Sequence, residues 1–127
     1  MKKIISAIIS IALAAVLCVT AFAAQPRWKN LVIISPTISA ASKTYTSYIV
    51  AVEDTTKIEC TLVLYEKGLF GNYTEVDRTS STYYGFEHEF SGSYDIKSGK
   101  TYKLTTTVTV TANGTSETVS YDFEKRC

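Results

Sequence analysis

The chain has 127 residues, with 13 basic against 12 acidic side chains and one histidine. With no basic run and no acidic tail, nucleic acid and an anionic membrane are expected to be poor partners on electrostatic grounds. A single histidine, with no CxxC or HxxxH spacing, does not supply a zinc set.

The first residues read as an export signal. Lys2 and Lys3 open the chain, residues 4–24 carry no charge, and Ala21-Phe22-Ala23 forms an A-x-A site. A signal peptide over 1–23, cleaved after Ala23, is expected. The alternative is an uncleaved anchor, since an apolar run of about 20 residues can span a bilayer. Cys18 is expected to leave with the signal, because Ala15 and Leu17 stand where a lipobox needs Leu and a small residue. Residues 24–127 then form one secreted, extracellular domain with 11 basic and 12 acidic residues. A chain of that length can bury a core unaided.

Past the signal, no helical period is visible and short alternating runs are separated by turn residues, the pattern of a sandwich or barrel. Trp28–Ser35 reads as a first strand ended by Pro36, and Lys43–Val52 as a second with both faces partly apolar. Lys57–Lys67 is a third strand, with Ile58, Cys60, Leu62 and Leu64 on one face and Glu59, Thr61, Val63 and Tyr65 on the other. The segment Gly68-Leu69-Phe70-Gly71-Asn72 reads as a hairpin loop. Tyr73–Thr79 is a polar fourth strand, expected at an edge. Tyr83–Phe90 is a fifth, with Tyr84, Phe86, His88 and Phe90 facing inward and Tyr83, Glu87 and Glu89 outward.

The last hairpin carries the most information. Asn113-Gly114 is the favoured pair for a two-residue type I′ turn, because both central positions need φ > 0. That turn sets Leu104 opposite Phe123, Thr106 opposite Tyr121 and Val108 opposite Val119. Lys103 then faces Glu124, Thr105 faces Asp122, Thr107 faces Ser120 and Thr109 faces Thr118. One face is apolar and the other hydroxyl-rich, and a one-residue slip would destroy the separation. A lone hairpin is marginal, so a second layer must cover the apolar face. The expected core comprises Leu62, Leu64, Phe86, Phe90, Ile96, Tyr102, Leu104, Val108, Val119, Tyr121 and Phe123.

Candidate chemistry is sparse. His88 lies between Glu87 and Glu89, but in a strand those carboxylates point away from the imidazole. No G-x-S-x-G elbow and no phosphate-cradling glycine loop is present. Glu75 and Asp77 would share a face in a regular strand, where they serve solubility better than catalysis. The expectation is therefore no enzyme, no cofactor and no metal. Cys60 and Cys127 are candidates for a disulfide in an exported chain; the alternative is a buried thiol at Cys60, with Cys127 fraying at the terminus or cross-linking a dimer. The aromatic residues Tyr65, Phe70, Tyr73 and Tyr83 fall on predicted outer faces or beside the glycine-rich loop. Such side chains offer rigid contact area to a protein or stacking surface to a sugar.

Two resemblances follow from these residues. Ile96, Gly99 and Tyr102 resemble the tyrosine corner of immunoglobulin-like and fibronectin type III sandwiches, where a Tyr near the start of the penultimate strand bonds upstream backbone. Ser98 and Lys100 replace the Pro and Thr usual in the fibronectin version. Trp28–Asn30, Lys57–Tyr65 and Gly99–Ser120 resemble segments of small secreted β-sandwich proteins from Gram-positive, clostridial-type anaerobes. The resemblance implies export and fold alone. The expectation is an immunoglobulin-like antiparallel β-sandwich of about seven strands. Its function would be non-enzymatic binding of an extracellular protein through loops or an edge. A carbohydrate or cell-wall binding module is the second reading, and a secreted toxin or inhibitor the third.

Overall fold

A computed structural model of the protein describes residues 28–127. The expected signal peptide over 1–23, its cleavage after Ala23, and Cys18 lie outside the described residues. Seven strands follow one another: β1 (Leu31–Ser39), β2 (Thr44–Ala51), β3 (Thr55–Lys67), β4 (Tyr73–Tyr83), β5 (Glu87–Ser93), β6 (Thr101–Ala112) and β7 (Thr115–Arg126). They form two antiparallel sheets, β1-β2-β5 and β4-β3-β6-β7, which pack as a β-sandwich. In the constant-type immunoglobulin arrangement the fourth strand joins the other sheet. Here β4 stays hairpinned to β3.

The β6–β7 hairpin has the register that its turn dictates. Leu104 pairs with Phe123, Thr106 with Tyr121 and Val108 with Val119. Asn113 and Gly114 adopt φ of 53° and 76°, the left-handed values that a type I′ turn requires. On β6 the even-numbered positions from Tyr102 to Val110 are buried. All but Thr106 join Ile58, Cys60, Leu62 and Leu64 from β3, Tyr45, Ile49 and Phe90 from the opposite layer, and Ile96 from the β5–β6 connection in one core cluster.

Two polar pairs cross this core. Ser47 and Thr106 are both fully buried, and the Thr106 hydroxyl donates to Ser47 Oγ at 3.1 Å. Tyr45 is also fully buried and donates its hydroxyl to Asp77 at 2.6 Å. Burial, and then the Asp77 carboxylate, raise the Tyr45 pKa above its ordinary value. Tyr102 accepts the Lys97 N–H at 2.8 Å, five residues upstream.

Seven of the expected core residues are buried: Leu62, Leu64, Phe90, Ile96, Tyr102, Leu104 and Val108. Val119 and Phe123 are only partly buried against the core, and Tyr121 is 41% exposed. All three lie on β7, the outermost strand of the larger sheet. A three-stranded layer cannot fully cover a four-stranded one, so the outermost strand keeps part of its apolar face in water. The β1–β7 side is closed instead by charged side chains. Glu117 accepts the backbone N–H groups of Lys29, Asn30 and Leu31 at 2.7–3.2 Å. Lys125 donates to the Ile38 carbonyl at 2.8 Å.

Three other expectations are corrected. Pro36 does not end the first strand: β1 runs through it to Ser39, with Pro36 opposite Ser47. An edge strand tolerates this, because a proline lacks only the N–H on its unpaired side. The segment Tyr83–Phe90 is not one strand. Tyr83 ends β4, Glu87 starts β5, and residues 84–86 carry the chain between sheets. Phe86 is therefore 40% exposed and Tyr84 77% exposed. Cys60 and Cys127 do not form the candidate disulfide; both are free thiols. Cys60 sits level with Val108 and Val119, whereas Cys127 lies eight residues past Val119, just beyond the end of β7, roughly 27 Å at the rise of a strand. A bridge needs Cα atoms within about 7 Å.

Candidate functional site

The loop joining β3 to β4 marks one end of the sandwich. Gly68 and Asn72 close it, with the Gly68 N–H donating to the Asn72 carbonyl at 2.7 Å. Gly71 takes φ of 86°, which an L side chain adopts only with strain. Leu69 and Phe70 occupy the tip and are 99% and 96% exposed. No other large apolar side chain among the described residues is so fully in water.

Beside this loop, on the outer face of the larger sheet, three strands bring a cation between two rings. Lys103 Nζ lies 4.9 Å from the Tyr65 ring centroid and 4.7 Å from that of Tyr73, within cation–π range. The Tyr73 hydroxyl donates to Glu124 at 2.5 Å, and burial together with that carboxylate raises the Tyr73 pKa. The register puts Lys103 opposite both Tyr65 and Glu124, so the cluster follows directly from strand pairing.

A bulge shapes the same face. Leu64 pairs with Asp77 and Tyr65 with Glu75, which leaves Val76 as the extra residue. Beyond the bulge the alternation inverts. Glu75 points outward and meets Arg78, with Nη2 3.0 Å from Oε1, while Asp77 turns inward to Tyr45. The expected shared face of Glu75 and Asp77 is thus split by one inserted residue. Farther along, the outer face is a ladder of paired polar groups. Thr105–Asp122, Thr107–Ser120, Thr109–Thr118 and Thr111–Ser116 lie 2.7–3.1 Å apart. Thr61 and Ser80 add a fifth pair at 2.9 Å.

Of the four aromatic residues singled out in the sequence, three gather here: Tyr65 and Tyr73 on the sheet, Phe70 on the loop. Tyr83 does not. It pairs with Ile58 near the far end of the sandwich and so faces the inner side, opposite to expectation. Its ring stacks on His88 at 4.1 Å, and His88 in turn meets the edge of Phe90 at 4.7 Å. Sequence reasoning missed Leu69, whose place beside Phe70 was the available signal. It also missed Lys103 as the partner of Tyr65, for which the order of strands was needed. No protein-family model, curated protein or solved structure matches the chain.

Proposed function

We propose that the protein is a secreted, non-enzymatic binding protein that engages an extracellular protein through the outer face of its larger sheet, at the edge that carries Tyr73. The observation that carries this reading is the Tyr65–Lys103–Tyr73 cluster. Two tyrosine rings held by a shared cation lose little conformational freedom on contact, the property that makes tyrosine effective at interfaces. A photo-reactive phenylalanine analogue in place of Tyr73 tests it. Irradiation in native culture medium should give one discrete protein adduct, and Tyr65→Ala should abolish it. A diffuse smear indifferent to Tyr65 would sink the reading.

A carbohydrate or cell-wall module is the second reading. It is favoured by the position of the two rings at the end of a hydroxyl-lined face, since tyrosine rings can stack on sugars. A glycan array and a peptidoglycan pull-down separate the two. Sugar binding lost in Tyr73→Ala would replace the first reading with this one.

A further inference from the structure

The balanced charge of the whole chain conceals an unequal distribution between the two ends of the sandwich. The loop end can be traced from contacts. Lys100 pairs with Glu66 at 2.9 Å, Lys125 reaches Ile38, and the Tyr94 N–H bonds the Lys43 carbonyl. These place the β1–β2 turn, the β3–β4 loop, the β5–β6 connection and the end of β7 together. Six cationic side chains stand there: Lys43, Lys67, Lys97, Lys100, Lys125 and Arg126. Their ion-pair partners are Glu66 and Asp95, and Asp95 is shared by Lys43 and Lys97 at 2.7 and 2.8 Å. Lys67 and Arg126 have no ion pair among the described residues. The opposite end, marked by Asn113 bonding Asp54 and by Glu117 holding residues 29–31, carries Glu53, Asp54, Glu87 and Glu117 against Lys29 and Lys57.

The cationic end also carries the exposed Leu69-Phe70 tip. An open groove of about 500 Å³ runs beside the tip, lined by Glu66, Lys67, Leu69, Lys100, Thr101 and Arg126. From this juxtaposition we infer that the loop end docks on an anionic lipid bilayer, with Leu69 and Phe70 entering the interface and Lys67, Lys100 and Arg126 meeting the headgroups. The shape decides between a bilayer and a folded partner. Two apolar side chains on a narrow convex tip present little flat area to a protein surface, but a soft interface closes around them. Burial of the tip and attraction of cations to anionic headgroups act in the same direction, the two-signal arrangement that stable interfacial binding needs. This goes beyond the binding role proposed above and rests on different residues. A protein docked by its tip leaves the Tyr65–Lys103–Tyr73 face open to the medium.

Co-sedimentation with vesicles tests it, using the mature chain. Vesicles containing phosphatidylglycerol should pull the protein down, and vesicles of phosphatidylcholine alone should not. The double variant Leu69→Ser, Phe70→Ser should weaken partitioning by at least about tenfold while melting like the wild type. Lys67→Gln and Arg126→Gln should each weaken it by about fivefold, and added salt should do the same to the wild type. Failure to sediment with anionic vesicles, equal sedimentation with neutral ones, or binding unchanged in the tip variant each overturns the inference. In any of those cases a discrete adduct at Tyr73 would leave the protein-binding reading standing.

Discussion

The two hairpins of the larger sheet solve opposite problems. At Asn113-Gly114 the chain reverses in two residues, and the flanking strands align for twelve paired positions. Nearly every inward side chain on β6 is buried, and every outward threonine from 105 to 111 finds a polar partner. At Gly68–Asn72 the chain takes five residues to reverse and leaves two large apolar side chains in water. The first hairpin is saturated with internal contacts. The second holds apolar surface that folding does not use, and unused apolar area is what an external surface can bury. Stability and contact are thus assigned to different turns of one sheet.

Substitutions should separate the two. Leu104→Ala, at a fully buried position of β6, should cost about 2–5 kcal/mol, read by denaturant unfolding; an unchanged midpoint would remove the β6 face from the core. Tyr45→Phe should cost about 1.5–3 kcal/mol near neutrality, because it deletes a hydrogen bond to a carboxylate. It should also flatten the alkaline limb of the stability curve. The folded-state pKa of Tyr45 is raised, so its contribution is complete below the unfolded value near 10.0 and is lost as pH rises above it. Melting temperatures between pH 8 and pH 11 would check the sign. Gly114→Ala should cost about 1–2 kcal/mol, since φ is 76° and an added Cβ meets nothing within 4 Å. Only the backbone conformation is penalised there.

The smallest effects belong to the loop. Leu69→Ser and Phe70→Ser should each change stability by no more than about 0.5 kcal/mol, and a larger loss would mean that the tip packs against the fold. Thiol labelling adds a control from the ladder. Cys127 should react at pH 8 in the native protein. Cys60, pushed up to about 12 by burial, should react only after unfolding. Simultaneous labelling of both would show β3 opening without global unfolding.

The parts of this fold that were legible from the chain are those governed by neighbours in sequence. Asn113-Gly114 specified a turn, the turn specified a register, and alternation then assigned Leu104, Val108 and Thr107 to their faces. The buried Tyr102, with its bond to Lys97, was legible for the same reason, since donor and acceptor lie five residues apart. Other features were set by distant strands. The exposure of Tyr121 depends on which strand lies opposite β7. The inward turn of Asp77 depends on a bulge that only pairing with β3 reveals. The fate of Tyr83 depends on where the chain leaves one sheet for the other.

The candidate site divides in the same way. Tyr65, Phe70 and Tyr73 were visible as aromatics near a glycine-rich loop, but Lys103 joins them through the β3–β6 pairing, across 38 residues of chain. The clustering of Lys67, Lys100 and Arg126 depends on three separate segments ending at one pole of the sandwich. Composition averages charge over the whole chain and cannot register such a division. Sequence alone therefore determined the inner faces of β3 and β6 and the tight hairpin, because period-two alternation and φ > 0 turn chemistry act locally. Tertiary structure decided which apolar surface stayed in water and where the cations gathered, because burial and charge fields depend on strand order, which no local pattern encodes.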